Sequence, residues 1–297
     1  MTTFNDMVEE VLINLEGFTL RQDRTTYLTA AIDNNDLTMS LASGDNIGKG
    51  IVEIDDELIH LDSVDRSDRS ATISPFGRGY RGTTAASHAL NTKVTFSPSF
   101  PRLSVKRAIN DTIRAIYPNI FGVASTTFTY NAAQTTYSLP VNAETVLALS
   151  WDSIGPSGEW IPIRRWRQDP TAASSEYATS NSISIYDALV PGRTVQVIYT
   201  KEPTTLSSGS DVFTTVTGLS ESARDVIIYG AAYRMVSFLD PGRLTFTSPE
   251  ADQNDTTRQF GAGTNTARYL LALYQQRLQE ESQKLNGKYP VRVHYTI

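Results

Sequence analysis

Few side chains in this sequence stand at spacings that could carry chemistry, and the most suggestive of them lie in one loop. In Phe76-Gly-Arg-Gly-Tyr-Arg-Gly-Thr-Thr-Ala-Ala-Ser-His88, the residues Gly77, Gly79 and Gly82 spell GxGxxG. That pattern lets backbone amides approach a dinucleotide pyrophosphate. The chemistry also needs a buried strand before the loop, a long helix after it, and an acid about 20 residues on for the ribose. Here Pro75 interrupts the preceding strand, and only a short Ala/Ser-rich segment precedes the strand-like Val94-Thr-Phe96. No acid lies between Gly82 and Asp111. The glycines are expected to serve backbone geometry, and no cofactor is expected.

Other constellations fare no better. The three histidines, His60, His88 and His294, sit in no metal-binding spacing such as HExxH. There is no GxSxG nucleophile elbow, and Gly44-Asp-Asn-Ile-Gly-Lys-Gly50 lacks the GK[ST] of a P-loop. The acids Asp55, Asp56 and Glu57 read as turn formers with solvated charge rather than a cation site. Asp33-Asn-Asn-Asp36 lacks the later glutamate of a calcium loop. No catalytic residue and no metal site are expected, and the chain is read as a non-enzyme. The strongest binding patch is Trp160-Ile-Pro-Ile-Arg-Arg-Trp-Arg167. There, Arg164, Arg165 and Arg167 around Trp166 could stack on bases or grip phosphate. The preferred alternative is an interface patch, a strand edge whose arginines pair with acids of a neighbouring subunit.

Composition narrows the classes. The chain has 297 residues and a net charge of −6, too acidic for a phosphate-neutralising clamp. It has no cysteine, which excludes disulfides, thiolate catalysis and Cys-ligated zinc. No apolar run approaches the roughly 18 residues of a membrane span, and the first residues lack the pattern of a secretion signal.

The elements that must position any site are helices at four places and strands between them. Phe4, Val8, Val11, Leu12 and Leu15 share one face of a first helix, and Leu103, Val105, Ile109, Ile113 and Ile116 one face of a second. A third helix starts after Ser220, read as its N-cap, and runs towards Leu239. A fourth runs from about Thr266 to Leu285, with Leu271, Tyr274, Leu278 and Leu285 as an apolar seam against charged Arg277, Glu280, Glu281 and Lys284. Residues 25–98 and 125–205 alternate as short strands. The tail, Lys288-Tyr-Pro-Val-Arg-Val-His-Tyr-Thr-Ile297, is aromatic and β-branched.

Two features resemble known virion parts. Ile54-Asp-Asp-Glu-Leu-Ile59 followed by Arg78-Gly-Tyr-Arg-Gly-Thr-Thr-Ala-Ala-Ser-His88 resembles a β-module of tailed-phage structural proteins. The C-terminal layout, a helix from Ser220 and then a long charged helix ending near Tyr289-Pro290, is similar to phage head-to-tail connector (adaptor, neck) proteins. The resemblance implies an α+β fold: a helical bundle of four main helices with two β-rich insertions, the first a small barrel or sandwich. The boundaries would be 1–24 and 99–124 for the N-terminal part of the helical core, 25–98 for the inserted β-module and 125–205 for the second β-region. Residues 206–287 would complete the helical core, and 288–297 would form a docking tail.

It further implies a virion protein that forms a ring, commonly dodecameric, joining the capsid portal to the tail. The partners would be other copies of itself, the portal protein, a tail or tail-completion protein and double-stranded DNA in passage, with no membrane. Residues Tyr289, Val291, Arg292, Val293, His294, Tyr295 and Ile297 would dock on the portal, and Leu271, Tyr274, Leu278 and Leu285 would line a subunit interface. The alternative is a baseplate or tail-fibre protein with a glycan-binding β-module, using Trp151, Trp160 and Trp166.

Overall fold

The computed structural model describes residues 1–16, 23–45, 47–153, 158–236 and 262–290. The chain divides into two compact units. One comprises Asp6–Ile109 with Ile228–Leu271; the other comprises Met1–Asn5, Asn110–Ile227 and the chain from Ala272 onward.

In the first unit six short strands form one antiparallel sheet. They are β1 (Arg24–Tyr27), β2 (Thr38–Ser40), β3 (Gly50–Ile54), β4 (Glu57–Asp65), β5 (Ser70–Ile73) and β6 (Lys93–Phe96), in the order β1-β6-β3-β4-β5-β2. Strand alternation sends Val52, Ile54, Ile59, Leu61, Ala71, Ile73 and Val94 to one face, where they join Leu28, Ile32, Met39 and Leu41 in a single core. A bridge between Leu28 and Leu41 brings the ends of the two edge strands together. Beside it the Thr29 amide donates to the Ser40 carbonyl at 3.0 Å and the Ala42 amide to the Tyr27 carbonyl at 2.9 Å. The sheet therefore curls back on itself, helped by a register shift between Leu61 and Ser63 that bends β4.

In the second unit two antiparallel sheets face each other. The strands β7 (Gly122–Thr129), β9 (Thr145–Asp152), β10 (Trp160–Pro162) and β13 (Thr194–Lys201) form one, in the order β10-β9-β13-β7. The strands β8 (Thr136–Ser138), β11 (Trp166–Asp169) and β12 (Ser182–Ile185) form the other, in the order β11-β12-β8. Val146, Leu149, Val195, Val197 and Tyr199 from the first sheet share one core with Tyr137, Trp166, Ile183 and Ile185 from the second. That is the arrangement of a β-sandwich.

Five helices complete the described residues: α1 (Phe4–Glu16), α2 (Arg102–Ala115), α3 (Phe213–Thr217), α4 (Arg224–Val236) and α5 (Ala262–Lys288). The apolar spacing read from the sequence is the spacing that is buried. Phe4, Val8, Val11 and Leu15 of α1 are inside, as are Val105, Ile109 and Ile113 of α2. Ser220 does not cap α4 with its side chain; a 3-10 turn, Glu221–Ala223, intervenes, and the Ser220 hydroxyl meets that of Ser222 at 2.9 Å.

One expectation needs correcting. A helical bundle of four main helices carrying two β-rich insertions is not the architecture. The α+β class is compatible with the fold, but the described residues include thirteen strands in three sheets, and each β-region holds a hydrophobic core of its own instead of decorating a helical one. The physical reason is one of visibility. Helical stripes announce themselves within a few turns, whereas β1 finds its partner in β6 and β7 in β13, each some 70 residues away. No local pattern records such pairings.

Candidate functional site

Several side chains and amides of the glycine-rich loop converge on the turn between β3 and β4. Glu57 is the first residue of β4, and its side chain is only 1% exposed. Arg78 reaches it with two donors: Nε to Oε1 and Nη2 to Oε2, both at 2.9 Å. The backbone amides of Gly79 and Ala86 add 2.8 Å and 3.0 Å bonds to the same carboxylate. His88 Nε2 lies 2.9 Å from Oε2, and its Nδ1 lies 2.9 Å from Asp55 Oδ2. Arg78 also donates Nη1 to the Asp33 and Asp36 carbonyls and Nη2 to that of Ala86. GxGxxG loops are known for turning amides on an anion; this one turns them on a carboxylate of its own chain.

The electrostatics follow from burial and these contacts. Burial alone would push the Glu57 carboxyl up, but the donors from His88, Arg78, Ala86 and Gly79 outweigh it and hold the group at about 2. Burial likewise opposes a charged imidazole, yet hydrogen bonds to Asp55 and Glu57, and their charges, raise His88 to about 9. At neutral pH the centre is thus one buried carboxylate between two cations, with the exposed Asp55 outside.

The glycines have the geometric role expected of them. A Cβ on Gly77 would stand 2.5 Å from the His60 carbonyl oxygen, and Gly79 has φ 60° with the Thr83 oxygen 2.9 Å from where its Cβ would be. After Gly79 the chain makes a 3-10 turn, Tyr80–Gly82, and not the long helix of a dinucleotide fold.

The other two acids of the turn are paired as well. Asp56 accepts from Lys106 Nζ at 2.7 Å and Arg102 Nε at 3.2 Å, and Arg102 Nη1 also reaches Glu9. The neighbouring Glu53 accepts the backbone amide of Arg102 at 2.7 Å. Its burial raises the carboxyl to about 7, against the lowering effect of that bond and of the Arg102 charge. Sequence reasoning had left Asp55-Asp56-Glu57 as solvated turn charge. Glu57, Arg78 and His88 all fall in the two segments that resemble a phage β-module, but nothing in the spacing of those segments signals that the three side chains meet.

Elsewhere the sequence-derived residues separate. Arg164, Arg165 and Arg167 are exposed, but Trp166 is 7% exposed and packs in the sandwich core. Its ring cannot stack on a base. Asp187 Oδ2 accepts the backbone amides of Arg164 and Arg165 at 2.8 Å and 3.1 Å. Of the three tryptophans, Trp151 packs against the same core and Trp160 is 45% exposed, so they form no common platform. Leu271, Tyr274, Leu278 and Leu285 of α5 are all half-buried. Glu281, expected on the charged face, is buried and accepts from Ser222 Oγ at 2.7 Å and Lys284 Nζ at 2.5 Å. Tyr289 is half-buried; Val291, Arg292, Val293, His294, Tyr295 and Ile297 lie outside the described residues.

A loop fastened by its own ion pairs, on a curled sheet, has the build of a structural part. The family model for the SU10 adaptor protein matches residues 83–293. The chain belongs to the SU10 adaptor protein family, in agreement with its resemblance to phage head-to-tail connectors. It is accordingly a phage structural protein of the head–tail region. No curated protein matches the chain.

Proposed function

We propose that this protein forms a ring between the capsid portal and the tail of the virion and leaves a passage for double-stranded DNA. The observation that carries this reading is the family match over residues 83–293. The charge is consistent with it: a lumen through which DNA passes must not hold phosphate, and the chain carries a net −6. In this reading the protein acts by shape and contact and catalyses nothing.

The half-buried seam Leu271, Tyr274, Leu278 and Leu285 leaves apolar surface on α5 for a neighbouring subunit. The tail from Tyr289 through Val291, Arg292, Val293, His294, Tyr295 and Ile297 docks on the portal. A ring order of twelve is the common case in the connectors it resembles. Electron microscopy of the purified chain, alone and with portal protein, tests the reading. Rings that bind the portal are expected, and neither rings nor portal association would overturn it.

A further inference from the structure

One aromatic side chain on the glycine-rich loop has no place in the fold. Phe76 is 98% exposed. It occupies the third position of the turn Ser74-Pro75-Phe76-Gly77, which is closed by the Gly77 amide donating to the Ser74 carbonyl at 2.8 Å. Its φ is 61°. Pro75 suits the second position of such a turn, but a positive φ at the third calls for glycine or asparagine, and a phenylalanine there is strained. The turn is nevertheless held rigidly. Its two flanks bond to β4 through the Ser74 amide to the His60 carbonyl (3.0 Å) and the His60 amide to the Gly77 carbonyl (2.8 Å). One residue further on, Arg78 is locked to Glu57. A wrong residue for the turn, carrying a bare apolar ring, on a support this stiff is a pre-organised anchor.

The surroundings indicate what it meets. Exposed Leu37 is tied to the strand that leads into the turn, its carbonyl accepting the Ile73 amide at 2.7 Å, and the exposed acids Asp33, Asp36 and Asp55 stand at the clasp, the first two through carbonyls that accept from Arg78 and the third through its contact with His88. The loop thus carries an apolar tip at Phe76 and acids at its base. The complementary surface, apolar with a basic rim, is present on the same chain: exposed Trp160 and Ile161 on the edge strand β10, followed by exposed Arg164, Arg165 and Arg167. That edge invites side chains and resists an added strand, because Pro162 lacks the amide hydrogen a new neighbour would need.

We infer that Phe76 is a subunit anchor, docking against the Trp160–Ile161 edge of a second copy of this chain, with Asp33, Asp36 and Asp55 facing that copy's arginines. Two different patches of one chain meeting in this way make a head-to-tail contact, the kind that closes into rings. The inference rests on the ring reading above and specifies its interface.

Mass photometry on the full-length chain tests it with two variants, Phe76→Gly and the double Arg164→Glu/Arg165→Glu. Glycine suits the φ at position 76, so the first variant folds without strain, and the second alters only exposed side chains. Each alone is expected to assemble about thirtyfold more weakly than the wild type, as loss of an interface hot spot does. Mixed together they are expected to form a one-to-one pair, since each retains the half the other has lost. Wild-type rings that persist unchanged in Phe76→Gly, or variants that do not pair on mixing, overturn the anchor while leaving the ring reading intact. So does a Phe76→Gly protein that assembles normally but loses portal binding, which would make the portal the occupant. A wild-type chain that stays monomeric alone and with portal overturns both.

Discussion

The Glu57 carboxylate and the Arg78 guanidinium meet side-on at 2.9 Å through two parallel hydrogen bonds, with 1% and 8% of their side chains exposed. This pair joins the start of β4 to a loop 21 residues further along the chain, and it fixes both the glycine turn and the Phe76 tip. Planar, bidentate pairing is what an arginine does better than a lysine.

Removing one partner of a buried ion pair strands the other. Glu57→Gln is therefore expected to lower unfolding free energy by about 3–5 kcal/mol, and Arg78→Lys by less, because lysine restores charge without the two-pronged geometry. Urea unfolding followed by circular dichroism measures both. A Glu57→Gln protein as stable as the wild type would show that the clasp contributes nothing.

Gly77→Ala is expected to be destabilising by more than 1 kcal/mol, because its Cβ would press on backbone oxygens of His60 and Ser74 at 2.5 Å and 2.8 Å. Phe76→Gly is expected to leave stability unchanged or to raise it by up to about 1 kcal/mol, through relief of the left-handed backbone. Thermal melts of the two variants should move in opposite directions, or the first alone should move. A large loss in Phe76→Gly would mean the ring packs within its own chain.

The pH dependence has opposite signs at neighbouring sites. His88, raised to about 9, contributes stability that is fully present below its unfolded value of 6.5 and is lost as pH rises through 9. Glu57, held at about 2, contributes stability that is present above 4.5 and is lost only as pH falls towards 2. Glu53 is raised to about 7, so its cost appears as pH climbs from 4.5 through 7. Glu53→Gln should accordingly gain on the wild type across that interval, and His88→Gln should flatten the alkaline limb. Unfolding free energies measured from pH 4 to about 10 decide both, and parallel curves for wild type and variants would contradict the assignments.

Deleting residues 292–297 is expected to abolish portal binding while leaving the circular dichroism spectrum and melting temperature unchanged. Co-sedimentation with portal protein gives the answer. Normal binding by the truncated chain would remove the tail from the docking role.

How much of this was legible beforehand differs by element. The stripes of α1 and α2 were readable because helix contacts recur within one or two turns, and the hairpin at Asp55-Asp56 because its strands are adjacent. The sandwich core was not. Trp166 looked like part of a basic binding patch, since three arginines surround it in sequence; in a strand, alternation sends it inward and its neighbours outward. Glu57 looked like surface charge for a similar reason. Its partners, Arg78 and His88, lie 21 and 31 residues away, and only the folded loop delivers them. The glycine motif serves backbone geometry, as read, but one of its amides, that of Gly79, also meets an anion. Phe76 was passed over because a lone aromatic at the start of a loop carries no pattern; its meaning comes from φ and exposure together.

Electron microscopy of the purified protein, imaged alone and after mixing with portal protein, tests the connector role itself. Closed rings that stack coaxially on the portal are expected. Monomers that neither close into rings nor bind the portal would contradict that role.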